Sequence, residues 1–73
     1  MPHIIVKLYP GRTEEQKKEL ADELTKTVMK VLNSKETSIS VGIEDVSPAD
    51  WTEKVQKPDI DAKPNTIYKH SAR

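Results

Sequence analysis

Apolar and polar positions alternate from the start of the chain. Ile4, Val6 and Leu8 fall on one face of an extended segment and His3, Ile5 and Lys7 on the other, and the β-branched run predicts a strand beginning at the N-terminus. Tyr9-Pro10-Gly11-Arg12 ends it, because proline cannot continue a central ladder and Pro-Gly is turn chemistry. Thr13 stands three residues before Gln16, a capping-box spacing, with Glu14 and Glu15 where a helix dipole favours negative charge. Leu20, Leu24, Val28, Val31 and Leu32 then recur at three- and four-residue spacing. Lys17, Lys18, Asp22, Glu23, Lys26 and Lys30 fill mainly the other side, so one amphipathic helix of about five turns is expected. After the polar break at 33–36, residues 38–43 alternate strictly, with Ile39, Val41 and Ile43 on one face, and predict a second strand.

Strand, long helix and strand make a βαβ unit, whose two strands should be parallel with a right-handed crossover, and the fold class expected is α+β. Ser47 followed by Pro48 is a cap followed by proline in the first helical turn, so a brief helical turn should carry Trp51 onward to Val55. From Lys57 to Arg73 two prolines and many charges surround Ile60, Ile67 and Tyr68. This reads as an irregular tail that orders only against another surface. The chain is thus one domain, a βαβ core over 2–46 and a turn with a tail over 47–73, without internal repeats.

Size changes the picture. A chain of 73 residues buries only about 60% of the surface its unfolded form exposes, and a two-stranded sheet leaves both edges free. Cysteine is absent and the two histidines, His3 and His70, are far apart in the sequence. Disulfides and a structural metal therefore give way to association as the expected support, and a homo-oligomer is predicted. Twelve basic residues balance twelve acidic ones, so there is no global field to hold nucleic acid. No apolar run approaches the length of a membrane span and no secretory pattern opens the chain, which points to the cytoplasm.

The chemistry concentrates at Pro2. Removal of Met1 would leave a prolyl secondary amine at the head of a strand. Free α-amino groups titrate near about 7.7 to 8.0, and burial lowers that value by disfavouring the charged form. Such an amine is a competent general base near neutrality, and its ring fixes the direction of the lone pair. With Met1 retained, the same nitrogen is a tertiary amide without basicity.

Pro-His-Ile-Ile-Val-Lys-Leu at 2–8, Pro-Gly-Arg-Thr-Glu-Glu-Gln-Lys at 10–17 and Thr-Ser-Ile-Ser-Val-Gly-Ile-Glu-Asp-Val at 37–46 together resemble the 4-oxalocrotonate tautomerase family, over about residues 2–51. The Ser-Ile-Ser run, the Ser-Pro-x-x-Trp segment and the longer tail are most similar to its PptA-type branch. The resemblance implies a tautomerase/MIF-like fold of βαβ protomers completed by oligomerisation, dimeric in the PptA branch and hexameric in the other, with the tail favouring the dimer. It implies a cofactor-free, metal-free isomerase that interconverts enol and keto forms of 2-oxo acids such as phenylenolpyruvate or 2-hydroxymuconate-like compounds, with Pro2 moving the proton.

By the same resemblance Arg12 would hold the substrate carboxylate, although arginine is also common as a solvated residue at a helix entry. Trp51 would form an apolar wall of the pocket, although a lone tryptophan is often core or interface. The family's second arginine is replaced by Ser40, which can donate a hydrogen bond but no charge, and this puts a dicarboxylate muconate substrate in question. His3 alternates onto the face away from Pro2 and reads as interface or surface, while Lys69 and His70 could reach a neighbouring site. Glu44 and Asp45 diverge as adjacent strand residues and make no carboxylate pair. Two other readings stay open: a noncatalytic oligomeric interaction module with a blocked N-terminus, and hydration or dehalogenation of a 3-substituted acrylate, for which no water-activating carboxylate can be assigned.

Overall fold

The computed structural model describes residues 1–72, so Arg73 at the end of the predicted tail lies outside the described residues. Strand β1 (His3–Leu8), helix α1 (Glu14–Leu32) and strand β2 (Ser40–Asp45) form the expected βαβ unit. The strands pair in parallel, in a register that runs from His3 opposite Ser40 to Leu8 opposite Asp45. The capping box is formed: Gln16 N donates to Thr13 Oγ1 at 3.0 Å and Thr13 N donates to Gln16 Oε1 at 2.9 Å. Two of the helix's orphan donors are satisfied reciprocally in this way. The helix ends at Asn33 in the left-handed conformation (φ 55°), a position asparagine tolerates better than most residues.

β2 begins two residues later than the alternation predicts. Residues Glu36–Ser38 first make a 3₁₀ turn in which Ile39 N bonds Glu36 O at 3.1 Å and the Ser38 hydroxyl donates to Lys35 O at 2.8 Å. These donors turn inward and are lost to the ladder. The strand runs instead through Glu44 and Asp45, where Lys17 Nζ meets Asp45 Oδ2 at 3.0 Å and ties the start of α1 to the end of β2.

α1 lies over the sheet face bearing Ile4, Val6, Leu8, Val41 and Ile43, all half-buried, and contributes Leu20, Leu24 and Val28. Val31 and Leu32, expected in the same stripe, are 70% and 61% exposed. The helix is simply longer than its sheet: its 19 residues span roughly 28 Å, while a strand of six residues spans roughly 20 Å.

The C-terminal third departs most from expectation. Helix α2 (Pro48–Trp51), capped by Ser47, continues without a break into a π-helical stretch, Thr52–Asp61, and a 3₁₀ turn follows at Pro64–Thr66. Lys57 to Asp61 is therefore helical and not part of an irregular tail. The stretch has wide i→i+5 bonding, as in Ala62 N to Lys57 O at 2.9 Å, and it contains Pro58, a residue that an α-helix interior does not accommodate. This bonding also puts Val55 and Ile60, five residues apart, on one side. This segment runs beside the face of His3, Ile5 and Lys7 of the chain's own sheet, and the two border an open depression. Lys7 Nζ meets Asp59 Oδ2 at 2.6 Å, and Val55 is buried to 5% exposure, matched among the described hydrophobic residues only by Val46 at the end of β2. Ile5 in mid-strand is still 58% exposed, and both edges of the two-stranded sheet are unpaired among the described residues.

Candidate active site

Pro2 is half-buried at the head of β1, and its carbonyl accepts a hydrogen bond from Ser40 N at 3.2 Å. Met1 projects from it wholly exposed. Beside this end of the sheet His3 and Ser40 meet across the two strands, Nδ1 to Oγ, at 2.6 Å. Sequence alternation alone marked His3 as an interface or surface residue; it is exposed, and it engages Ser40 on the neighbouring strand.

Arg12 lies at the other end. Gly11, at φ 124°, turns the chain out of β1 through a backbone conformation that side chains disfavour, and Arg12 follows it, exposed, at the entry to α1. It lines an open depression of about 700 Å³ with Lys7, Tyr9, Trp51, Ser71 and Ala72. Trp51 meets Tyr9 edge to face, the ring centres 5.0 Å apart and the planes at 84°, a favoured aromatic geometry. Trp51 is also a wall of a second depression, about 770 Å³, on the face of β1 that carries His3, Ile5 and Lys7. On its far side it borders a third, about 280 Å³, with Lys69 and His70. The tail residues thus lie near Trp51 in the same protomer.

Pro2 and Ser40 are brought together, and so are Arg12 and Trp51, but the two pairs are held apart. Leu8, next to Arg12 in its depression, is six strand positions from Pro2, which is roughly 20 Å. A carboxylate and the carbon two bonds away from it cannot bridge that distance.

Lys7 titrates above the usual lysine value of 10.5, chiefly because its ammonium donates to Asp59; burial opposes this, and the charges of Asp59 and Glu44 reinforce it. Glu44 therefore acts on the Lys7 face while Asp45 pairs with Lys17, the divergence expected of neighbours on a strand. Tyr9 and Asp59 were not singled out by sequence. Tyr9 had a signal, an aromatic bordering the Pro-Gly turn before Arg12, whereas Asp59 sits among other charges with nothing to distinguish it.

The family profile described as tautomerase enzyme matches residues 2–56. The chain belongs to the tautomerase family. It is similar to a protein of Xylella fastidiosa (strain 9a5c) named "Probable tautomerase", 45% identical over 69 residues that cover 94% of this chain and 84% of that one. Tautomerase PptA of Cronobacter sakazakii (strain ATCC BAA-894) is 41% identical over 68 residues, 92% of this chain and 90% of the relative. Among solved structures, TomN, a 4-oxalocrotonate tautomerase homologue of the tomaymycin biosynthetic pathway, superposes with a TM-score of 0.66 at 28% identity, covering 68% of this chain and 77% of TomN. This tautomerase is accordingly an isomerase with the βαβ fold of the 4-oxalocrotonate tautomerases. The matched segment takes in Pro2, Arg12, Ser40 and Trp51 and leaves Asp59 outside.

Proposed function

We propose that this tautomerase loses Met1 and uses the free Pro2 amine as general base and then acid in the enol–keto conversion of 2-oxo acids such as phenylenolpyruvate, in the cytoplasm and as a homodimer. In the ketonisation direction the amine takes the enol hydroxyl proton and a proton is returned to the adjacent carbon, so the reaction is an isomerisation without net gain or loss. The observation that carries the reading is the state of the N-terminus. Met1 is fully exposed to an aminopeptidase, while Pro2 is half-buried and already fixed by the bond from Ser40 N. The amine left behind would be oriented and partly desolvated, the two conditions for a base with lowered pKa.

Arg12 binds the substrate carboxylate with its guanidinium fork. Because Arg12 and Pro2 of one protomer lie at opposite ends of β1, the site joins Pro2 of one protomer to Arg12 of another, with Trp51 beside that Arg12 excluding water. A dimer is supported by the C-terminal segment, which occupies with the chain's own residues, Asp59 on Lys7 among them, part of a sheet face that a bare βαβ protomer would leave to neighbours.

The test is ketonisation of phenylenolpyruvate by protein whose intact mass shows the loss of Met1, beside Pro2→Ala. A fall of about 10²-fold or more in kcat is expected on removal of the base, and undiminished activity overturns the assignment. Quantitative retention of Met1 in natively produced protein would instead favour a noncatalytic oligomeric module of the same fold.

A further inference from the structure

Moving a proton between oxygen and the carbon next to the one that bears it leaves negative charge on the substrate oxygen in the transition state, and a donor aimed at that oxygen is usually the largest contribution such a site makes. Arg12 is engaged with the carboxylate, and Ser40 brings no charge. Resting on the reading of Pro2 as the base, we propose that His3 supplies this donor: Ser40 holds its ring so that Nε2–H is presented to the substrate oxygen beside Pro2.

Three observations carry it. First, Ser40 Oγ and His3 Nδ1 are 2.6 Å apart, so the ring's inner nitrogen is taken. When the serine hydroxyl donates to Nδ1, the neutral imidazole keeps its proton on Nε2, at the outer edge of the ring. When the ring is cationic, Nδ1–H donates to Oγ and Nε2 still carries a proton. Both arrangements leave a donor facing outward, and the ring is assigned to them rather than to the neutral tautomer whose proton sits on Nδ1 and whose Nε2 only accepts. Second, the base and this pair are one mechanical unit, because Ser40 N also bonds Pro2 O at 3.2 Å. A single residue of β2 thereby fixes the N-terminal residue by its backbone and the imidazole by its side chain.

Third, there is room. The depression of about 770 Å³ begins at His3 and runs along Ile5 to Val55, Ile60 and Trp51. The apolar part of a 2-oxo acid has a place there once its oxygen is at His3. Strand alternation does set the His3 ring on the opposite face from the Pro2 ring. The reacting atom, however, is the Pro2 nitrogen at the chain end, which both faces of a strand terminus can reach.

The test uses mature protein of verified mass and phenylenolpyruvate, with His3→Ala, His3→Gln and Pro2→Ala assayed side by side and the oligomer checked by light scattering. His3→Ala is expected to lower kcat by about 10²-fold with little change in KM. His3→Gln, whose amide retains an N–H donor, should recover at least about tenfold of that loss. An unchanged kcat in His3→Ala, or a glutamine variant no better than the alanine one, overturns the proposal. The two readings fail separately. Inactive Pro2→Ala beside fully active His3→Ala removes only the role of His3, whereas active Pro2→Ala removes the base itself.

Discussion

If Pro2 and Arg12 act on one substrate from different protomers, two individually crippled chains should repair one another. Pro2→Ala removes the base, and Arg12→Ala removes a charge-assisted hydrogen-bond partner of the carboxylate, worth about 1.5–3 kcal/mol or about ten- to a hundredfold in kcat/KM. In an assembly formed at random from equal amounts of the two, a site is intact only when its Pro2 comes from the Arg12→Ala chain and its Arg12 from the Pro2→Ala chain. Each choice has even odds. About one quarter of all sites should be native, whatever the number of protomers, since an interface site depends only on the pair that forms it. The expectation follows from the roughly 20 Å of β1 between Leu8, beside Arg12, and Pro2. The two variants would be co-expressed, or unfolded and refolded together, and phenylenolpyruvate ketonisation followed by its ultraviolet absorbance. Recovery toward a quarter of wild-type activity is predicted. A mixture no more active than the mean of its parents would place each site within a single protomer and refute the reasoning.

Other consequences concern the fold. Thr13→Ala breaks the capping box at the start of α1 and should lower stability by about 1 kcal/mol in a urea titration; an unchanged midpoint would mean the cap contributes nothing. Val55→Ala removes two methyl groups from a buried position and should cost about 2 kcal/mol, whereas a loss near zero would show that the C-terminal helix is not packed through Val55. Lys7 has its pKa raised, first by the bond to Asp59. The stability from this pair is therefore fully present below the ordinary lysine value and is lost as pH rises through the higher folded one. The gap in melting temperature between wild type and Asp59→Asn should accordingly begin to narrow above about pH 10.5 and close only once pH has passed the raised folded value; a gap that does not narrow on this climb would assign the effect of Asp59 to packing instead.

The βαβ core was legible because its signals agree across levels. In β1 the period-2 pattern coincides with a Pro-Gly stop, and in α1 the 3.6 period coincides with a capping box and a charged first turn. β2 was found but displaced, because side-chain alternation does not reveal that Glu36–Ser38 spends its backbone donors in a 3₁₀ turn. The helical turn through Val55 was legible from its cap, but its continuation over Lys57 to Asp61 was not, for a physical reason. Its apolar residues follow a π-helical spacing that no 3.6-residue template detects, and Pro58 argues against a helix that widened bonding in fact permits.

Candidate site residues could be named singly, from residue type and from the family resemblance, but their grouping in space was not legible. Sequence could not show that Pro2 shares an end of the sheet with Ser40 and His3 while Arg12 shares the other with Trp51 and Tyr9. That division depends on the parallel register and on where the helix after Pro48 returns across the sheet.

The central claim is that burial and assembly keep the terminal nitrogen of the mature chain neutral at physiological pH. A nuclear magnetic resonance titration of protein carrying ¹⁵N-proline and lacking Met1 would follow that nitrogen directly. Its midpoint should fall below the value of an ordinary α-amino group, about 7.7 to 8.0, and coincide with the acidic limb of the kcat/KM profile. A Pro2 nitrogen fully protonated at pH 7 in the active assembly would contradict the account.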